Sequence, residues 1–285
     1  MHQICALTSS RDAGASGWLM TWVRSHGSRP ATPPMDAYGG SVVRNQPEPT
    51  RSHRADVGAA QAAAIHMIVL PGGGYAAHAA HEAEPIASWL GGLGISASVF
   101  RYPLHARHPE PLLALRAEIR RRHEQGAERI GLIGFSAGGH LAGHAALAPT
   151  ADPHESVQFA VLGYAITSME TETYRPARII LLGEDASPDQ RRETSLDKLV
   201  TAQSPPFFLW HTAEDIYVPP EHTYRLATAL AAHDVPHTAH VFAHGPHSLG
   251  LAQGAGDATA WTTFAASWIA EQFDAPARST TNSHR

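Results

Sequence analysis

The chain has 285 residues, 43% hydrophobic, 16% charged and 7% aromatic, with a formal charge of −5 and a pI near 6.5. That length can bury a sizeable core, and 24 Gly with 21 Pro is too ordinary a content for a collagen-like or wholly disordered chain. Lys198 is the one lysine among 21 basic residues and no basic stripe stands out, which argues against a nucleic-acid partner.

Residues 1–60 read as a partly irregular N-terminal segment. They mix Ser, Arg, Pro and Gly with little period-2 or period-3.6 order, and a short edge strand fits only around Ser41–Arg44. Cys5, the single cysteine, has no internal disulfide partner. The start of the chain lacks the basic residues and the apolar stretch of about 7–15 residues that a secretory signal needs. No apolar run approaches the ~18–20 residues of a membrane helix. The expectation is a cytoplasmic protein that makes no membrane contact.

From residue 61 to 273 the texture changes, and one catalytic domain is expected there. Short apolar runs recur at Ile65–Leu70, Ser96–Phe100, Ile130–Phe135, Val157–Gly163, Phe207–His211 and Thr238–Phe242. Runs this short and continuous suit strands of a parallel sheet buried on both faces. Between and after them Glu84–Leu93, Glu110–Gln125, Gly138–Leu147, Glu221–His233 and Asp257–Phe273 carry apolar residues at helical spacing. Strand and helix in alternation predict an α/β fold, a mostly parallel central sheet with helices on both faces. Residues 164–204 are less regular and read as an excursion over the sheet edge. Residues 274–285 read as a free tail.

Gly134-Phe135-Ser136-Ala137-Gly138 fits G-x-S-x-G between a buried-type strand and a small-residue helix. Such a turn lifts a serine Oγ clear of the backbone, and the glycines avoid Cβ clashes within it. A serine hydroxyl needs a base, and the base an orienting carboxylate. Asp215 follows the fifth run and His247 the sixth, on loops at the same sheet edge as Ser136. The preferred catalytic set is Ser136, Asp215 and His247, with Glu214 and Asp185 competing as the acid and His244 as the base. For the oxyanion, the Ala137 amide is one donor, and Gly73 and Gly74 of Gly72-Gly73-Gly74-Tyr75 supply the others. Tyr75 and His78, beside this loop, are candidate substrate contacts.

These blocks, with Gly139-His140-Leu141-Ala142, Pro206–Asp215 and His244-Gly245-Pro246-His247-Ser248-Leu249-Gly250, resemble the α/β-hydrolase superfamily, esterase/lipase branch. Within it they are most similar to bacterial acetylxylan-esterase-like and feruloyl-esterase-like carbohydrate esterases. Pro71 stands where many esterases have the first His of an HGGG loop. The resemblance implies an α/β-hydrolase fold and a serine carboxylic-ester hydrolase that removes small acyl groups, acetyl first, from a small-molecule or oligosaccharide ester without a cofactor. A serine peptidase on the same fold and a non-catalytic binding protein are the rivals, and no oligomeric state is assigned.

Twenty histidines is a large number for this length. His140 and His144 have the i, i+4 spacing of two zinc ligands, but residue 141 is Leu where H-E-x-x-H has Glu. Packing beneath the serine turn is the preferred role for His140, and no metal is expected.

Overall fold

A computed structural model describes residues 65–274. The expected N-terminal segment and, from residue 275 on, the expected tail lie outside the described residues. Six strands form one parallel sheet in the order β2-β1-β3-β4-β5-β6. They are β1 (Ile65–Leu70), β2 (Ser96–Val99), β3 (Arg129–Phe135), β4 (Phe159–Gly163), β5 (Phe207–Thr212) and β6 (His237–Phe242). Each lies where an apolar run predicts it; β1 coincides with its run, and the others differ at one end by one or two residues.

The alternation of side chains along a strand sorts these runs into two cores. Ile68, Leu70, Leu132, Leu162 and Leu209 face one layer. It is covered by α2 (Glu110–Glu124), α3 (Ser136–Leu147), α4 (Arg175–Leu182) and α6 (Glu221–Ala232). Met67, Val69, Ile133, Phe135, Val161 and Trp210 face the other, covered by α1 (Glu84–Gly92) and α7 (Trp261–Asp274). The Trp210 ring stacks on Trp261 with centroids 4.8 Å apart and planes 9° from parallel. Full burial of one such apolar side chain is worth about 1.5–3 kcal/mol, so both layers are needed to hold the sheet.

Three points differ from the sequence reading. The helix after the serine turn begins at Ser136 itself, not at Gly138. The last α-helix begins at Trp261, because residues 256–260 form a tighter 3₁₀ turn. The excursion, read as less regular, contains the helix α4. Pro176 stands in its first turn, where a missing N–H costs nothing, and Ala177 and Leu181 bury one face at i, i+4. A second short helix, α5 (Pro188–Glu193), is closed by a Ser187–Gln190 capping box.

The strand order reverses between β1 and β3: the chain steps from β1 outward to β2, then returns to place β3 on the other side of β1. In open parallel sheets a crevice forms at such a reversal, outside the carboxyl ends of the strands. Gly72–Gly74 follow β1 and Ser136 follows β3, so both fall at this point.

Candidate active site

The β3–α3 junction is a backbone under strain. Phe135 is extended (φ −125°), and Ser136 then takes φ +51°, a left-handed conformation that non-glycine residues adopt at a cost. The surroundings leave no alternative. A Cβ on Gly134 would lie 2.4 Å from the Gly138 carbonyl oxygen, and one on Gly138 would lie 2.3 Å from the Leu70 and Pro71 carbonyl oxygens. Glycine at both positions therefore lets α3 press against the end of β1, and Ser136 points up into the crevice.

His247, on the loop after β6, lies with Nε2 2.9 Å from Ser136 Oγ and Nδ1 2.6 Å from Asp215 Oδ2. The carboxylate requires Nδ1 to carry the proton, so Nε2 presents its lone pair to the serine hydroxyl. Asp215, in the turn after β5, is held from several sides. Its Oδ1 accepts from the Tyr217 and Val218 amides, each at 3.0 Å. Its Oδ2 also accepts from His211 Nε2 at 3.1 Å. His211 Nε2 faces the Val218 carbonyl as well, while its Nδ1 accepts from the Thr223 hydroxyl, an arrangement that fits the neutral Nε2–H tautomer. Burial pushes the Asp215 carboxyl up, but the hydrogen bonds from His211, His247 and the Val218 amide outweigh it and hold it well below the ordinary carboxylate range. Asp215 thus stays ionised with its side chain fully buried.

The competitors lie elsewhere. Glu214 accepts from His244 Nδ1 and the Gly245 amide, each at 2.9 Å, on the exposed side of the same two loops. Asp185 sits in the turn between α4 and α5.

Gly73 and Gly74 take φ +120° and +64° and line the cavity above Ser136. Their turn is tied by the Ala76 and Ala77 amides donating to the Gly73 carbonyl and by Ala79 donating to Gly72. The Gly73 and Gly74 amides take no part in those bonds. The Ala137 amide, in the first turn of α3, has no intrahelical acceptor. The three amides thus belong to segments that meet at the serine.

Two expected contacts are corrected. Tyr75 does not line the cavity. Its φ of +61° turns the ring into the core, where it is fully buried and its hydroxyl lies 2.6 Å from His140 Nδ1. His140 Nε2 in turn meets the Thr194 carbonyl at 2.8 Å, so His140 packs under the serine turn as a neutral ring; burial lowers its pKa to about 4. His78 turns aside as well. Its Nε2 lies 3.1 Å from the Tyr102 carbonyl oxygen, and its ring meets the Tyr102 ring edge-on at 4.7 Å. Among the described residues no three His, Cys, Asp or Glu side chains gather as a metal-ion set, and no helix is long and apolar enough to cross a membrane.

The cavity has a volume of about 340 Å³. Its walls include Tyr174, from the excursion, and Tyr217, from the Asp215 turn, two rings in edge-to-face contact at 6.0 Å. Tyr217 is about half exposed. Neither tyrosine was singled out from sequence, since each reaches the crevice from a loop without a motif. A third omission is Glu82, a fully buried carboxylate beneath the glycine loop. The sequence offers only His81-Glu82-Ala83-Glu84 as a signal, with nothing to separate Glu82 from the exposed Glu84.

Residues 112–276 match the model of the prolyl oligopeptidase family, Peptidase_S9, more than half of the chain. The chain belongs to that family. It is also 30% identical over 206 residues (65% of this chain) to endo-1,4-beta-xylanase B of Butyrivibrio fibrisolvens. The chain spans about a third of that relative, 32% of its length. Among solved structures, the acetyl ester-xyloside bifunctional hydrolase of Caldicellulosiruptor lactoaceticus is 37% identical with a TM-score of 0.68, over 72% of this chain and 82% of that one. The carboxylesterase Cest-2923 of Lactobacillus plantarum WCFS1 is 28% identical with a TM-score of 0.65, over 75% and 87%. The α/β-hydrolase fold expected from sequence holds, as does the resemblance to ester hydrolases: this family member has an α/β-hydrolase fold and is similar to solved carboxylic-ester hydrolases.

Proposed function

We propose that this protein is a serine esterase that removes small acyl groups, acetyl first, from carbohydrate esters. The observation that carries the reading is the unbroken run of hydrogen bonds from Ser136 Oγ through His247 to buried Asp215, at the base of a cavity edged by Gly73 and Gly74. In this reading His247 Nε2 takes the hydroxyl proton as Ser136 Oγ bonds to the ester carbonyl carbon. Asp215 stabilises the imidazolium that forms. The Gly73, Gly74 and Ala137 amides hold the oxyanion. Collapse of the tetrahedral adduct breaks the bond to the alkoxy oxygen, which leaves with the proton from His247. Water, activated by the same imidazole, then cleaves the acyl-Ser136 ester.

The small cavity favours a short acyl group. The exposed tyrosine rings at its mouth suit the apolar face of a sugar ring, with their hydroxyls near its polar edge. The names of the Caldicellulosiruptor and Butyrivibrio relatives point to xylan chemistry and support the carbohydrate side of the proposal. A peptidase taking short peptides would need an anion for the substrate amine. No acidic residue is among the described residues that line the cavity.

The test is a hydrolysis screen over acyl chain length that includes acetylated xylo-oligosaccharides and aminoacyl amides. Steep preference for two-carbon acyl groups on sugars is expected, with Ser136→Ala inactive yet folded. Long-chain preference overturns the acetyl assignment, faster cleavage of the amides overturns the esterase, and an active Ser136→Ala overturns the nucleophile.

A further inference from the structure

Glu82 has no part in the proton relay, yet it is a carboxylate with no exposed surface in the middle of the site. It ends the 3₁₀ turn that follows the glycine loop. Its Oε2 accepts from the Gly72 amide at 2.7 Å. Its Oε1 accepts from the Tyr164 hydroxyl at 2.7 Å and from the Ser248 hydroxyl at 2.8 Å. Gly72 immediately precedes the two glycines of the oxyanion loop, and Ser248 immediately follows His247. The Tyr164 ring packs edge-on against the His247 imidazole at 5.0 Å, and its hydroxyl also accepts from the Gly250 amide at 2.9 Å.

We infer that Glu82 is a positioning residue for this site: one buried carboxylate ties the oxyanion loop to the histidine loop and so sets the spacing between the oxyanion donors and the imidazole. The inference rests on the esterase reading above.

Chemistry explains why a carboxylate is required. Three close N–H and O–H donors converge on its two oxygens, with His81 Nε2 a longer fourth partner 3.5 Å from Oε1, and an acceptor-only group can take them all. Glutamine has the same shape but only one acceptor oxygen. With that oxygen kept toward Tyr164 and Ser248, its NH₂ opposes the Gly72 N–H. With the group flipped, Gly72 is satisfied, but the Tyr164 and Ser248 hydroxyls lose the oxygen to which they donate and must turn their protons away to accept from the NH₂. Space does not relieve the conflict, since Gly72 is wedged so tightly that a Cβ there would stand 2.6 Å from Glu82 Oε2 and 3.0 Å from Ser136 Cβ. Burial pushes the Glu82 carboxyl up, yet hydrogen bonds from His81, Tyr164, Ser248 and Gly72 bring it below its ordinary value, so it accepts as an anion.

The test is steady-state kinetics on p-nitrophenyl acetate with Glu82→Gln, Ser248→Ala and the double variant, and Glu84→Gln as the exposed neighbour. Displacement of catalytic groups by a fraction of an ångström to an ångström costs up to about 100-fold in rate. Glu82→Gln is therefore expected to lose about 10- to 100-fold in kcat with KM within about threefold, and Ser248→Ala to lose less. The double variant should be no slower than Glu82→Gln alone, because both remove one shared link. Glu84→Gln should match the parent. Parent-like kcat in Glu82→Gln, or losses that multiply in the double variant, overturn the inference. If Glu82→Gln does not fold, Ser248→Ala and Tyr164→Phe decide: both must lower kcat at unchanged KM, and parent rates in both overturn it. A fluorophosphonate probe separates the two claims. Parent protein that is not labelled at Ser136 overturns the esterase reading, and this role with it. A labelled parent with an unimpaired Glu82→Gln overturns Glu82 alone.

Discussion

Two histidine–carboxylate pairs stand on the same two loops, a few residues apart, and differ in almost everything but composition. His247–Asp215 meets at 2.6 Å with side chains 13% and 0% exposed, whereas His244–Glu214 meets at 2.9 Å with side chains 82% and 57% exposed. The inner pair ends on Ser136; the outer pair faces water. Hydrogen-bond length hardly distinguishes them. The difference lies in what surrounds each carboxylate: Asp215 is held by His211 and two amides in a dry setting, while Glu214 has only His244 and Gly245. In water an ion pair is worth little, and in a low-dielectric pocket the same charges are strongly coupled.

The comparison can be broken by substitution. His247→Ala is expected to lower kcat/KM by about 10³-fold or more, since the proposed base is lost with the serine left in place. Asp215→Asn comes next, at about 10²- to 10⁴-fold, because the amide favours the wrong imidazole tautomer. A loss below tenfold in either variant, measured on p-nitrophenyl acetate with the fold checked by circular dichroism, contradicts the assigned pair.

Acid sharpens the comparison through stability. Burial lowers the pKa of His140 and of His222 to about 4, and that of His144 well below its ordinary value. Between pH 6.5 and about 4 the unfolded chain binds protons at these sites that the folded chain refuses, so stability present above pH 6.5 is lost as pH falls. Each pKa unit is worth about 1.4 kcal/mol, and the summed loss should reach several kcal/mol. His244 has the opposite sign. Its hydrogen bond to Glu214, and its attraction to that carboxylate, raise its pKa, so its contribution is present below pH 6.5 and lost as pH rises through the folded value, and its exposure keeps it small. Urea midpoints measured from pH 7.5 to 4.5 should therefore fall with acid; a flat profile would show that the buried rings do not resist protonation.

Smaller effects belong to the mouth and the rim. Tyr217→Ala keeps the backbone amide that Asp215 uses, and is expected to raise KM several-fold for acetylated xylo-oligosaccharides while leaving p-nitrophenyl acetate kinetics unchanged. Equal effects on both substrates would remove the ring from sugar recognition. Glu214→Gln and His244→Ala should leave kcat/KM within about twofold, as exposed ion pairs contribute little.

Much of this architecture was legible in the sequence because its causes are local. Apolar runs such as Ile130–Phe135 can be satisfied only in a doubly covered strand, and the glycines around Ser136 announce a turn that nothing bulkier can make. Loop positions after β5 and β6 brought Asp215 and His247 to the same edge as the serine. Three features resisted because their causes are long-range. Tyr75 takes the inward course because its hydroxyl finds His140, 65 residues on, in the core, and an aromatic after a glycine loop can go either way. Tyr174 reaches the cavity only because the 164–204 excursion is pinned down, with Thr194 on His140 and the Leu196 amide on the Thr167 carbonyl. Glu82 looks like any helix-preceding acid until Gly72 of the nearby glycine loop and Tyr164 and Ser248, drawn from two distant stretches, converge on it.

The close seat of α3 also bears on how this scaffold can be altered. A Cβ at Gly138 meets the Leu70 and Pro71 carbonyl oxygens at 2.3 Å, one at Gly139 meets Ala165 at 2.6 Å, and one at Gly143 meets Leu196 at 2.5 Å. The first two points are thus closed to even a methyl group, and the third admits one only if the Leu196 side chain moves. Libraries aimed at new substrates should leave 134–143 untouched and diversify the tyrosine-bearing loops, where a change of side chain reshapes the entrance without disturbing the seam beneath it.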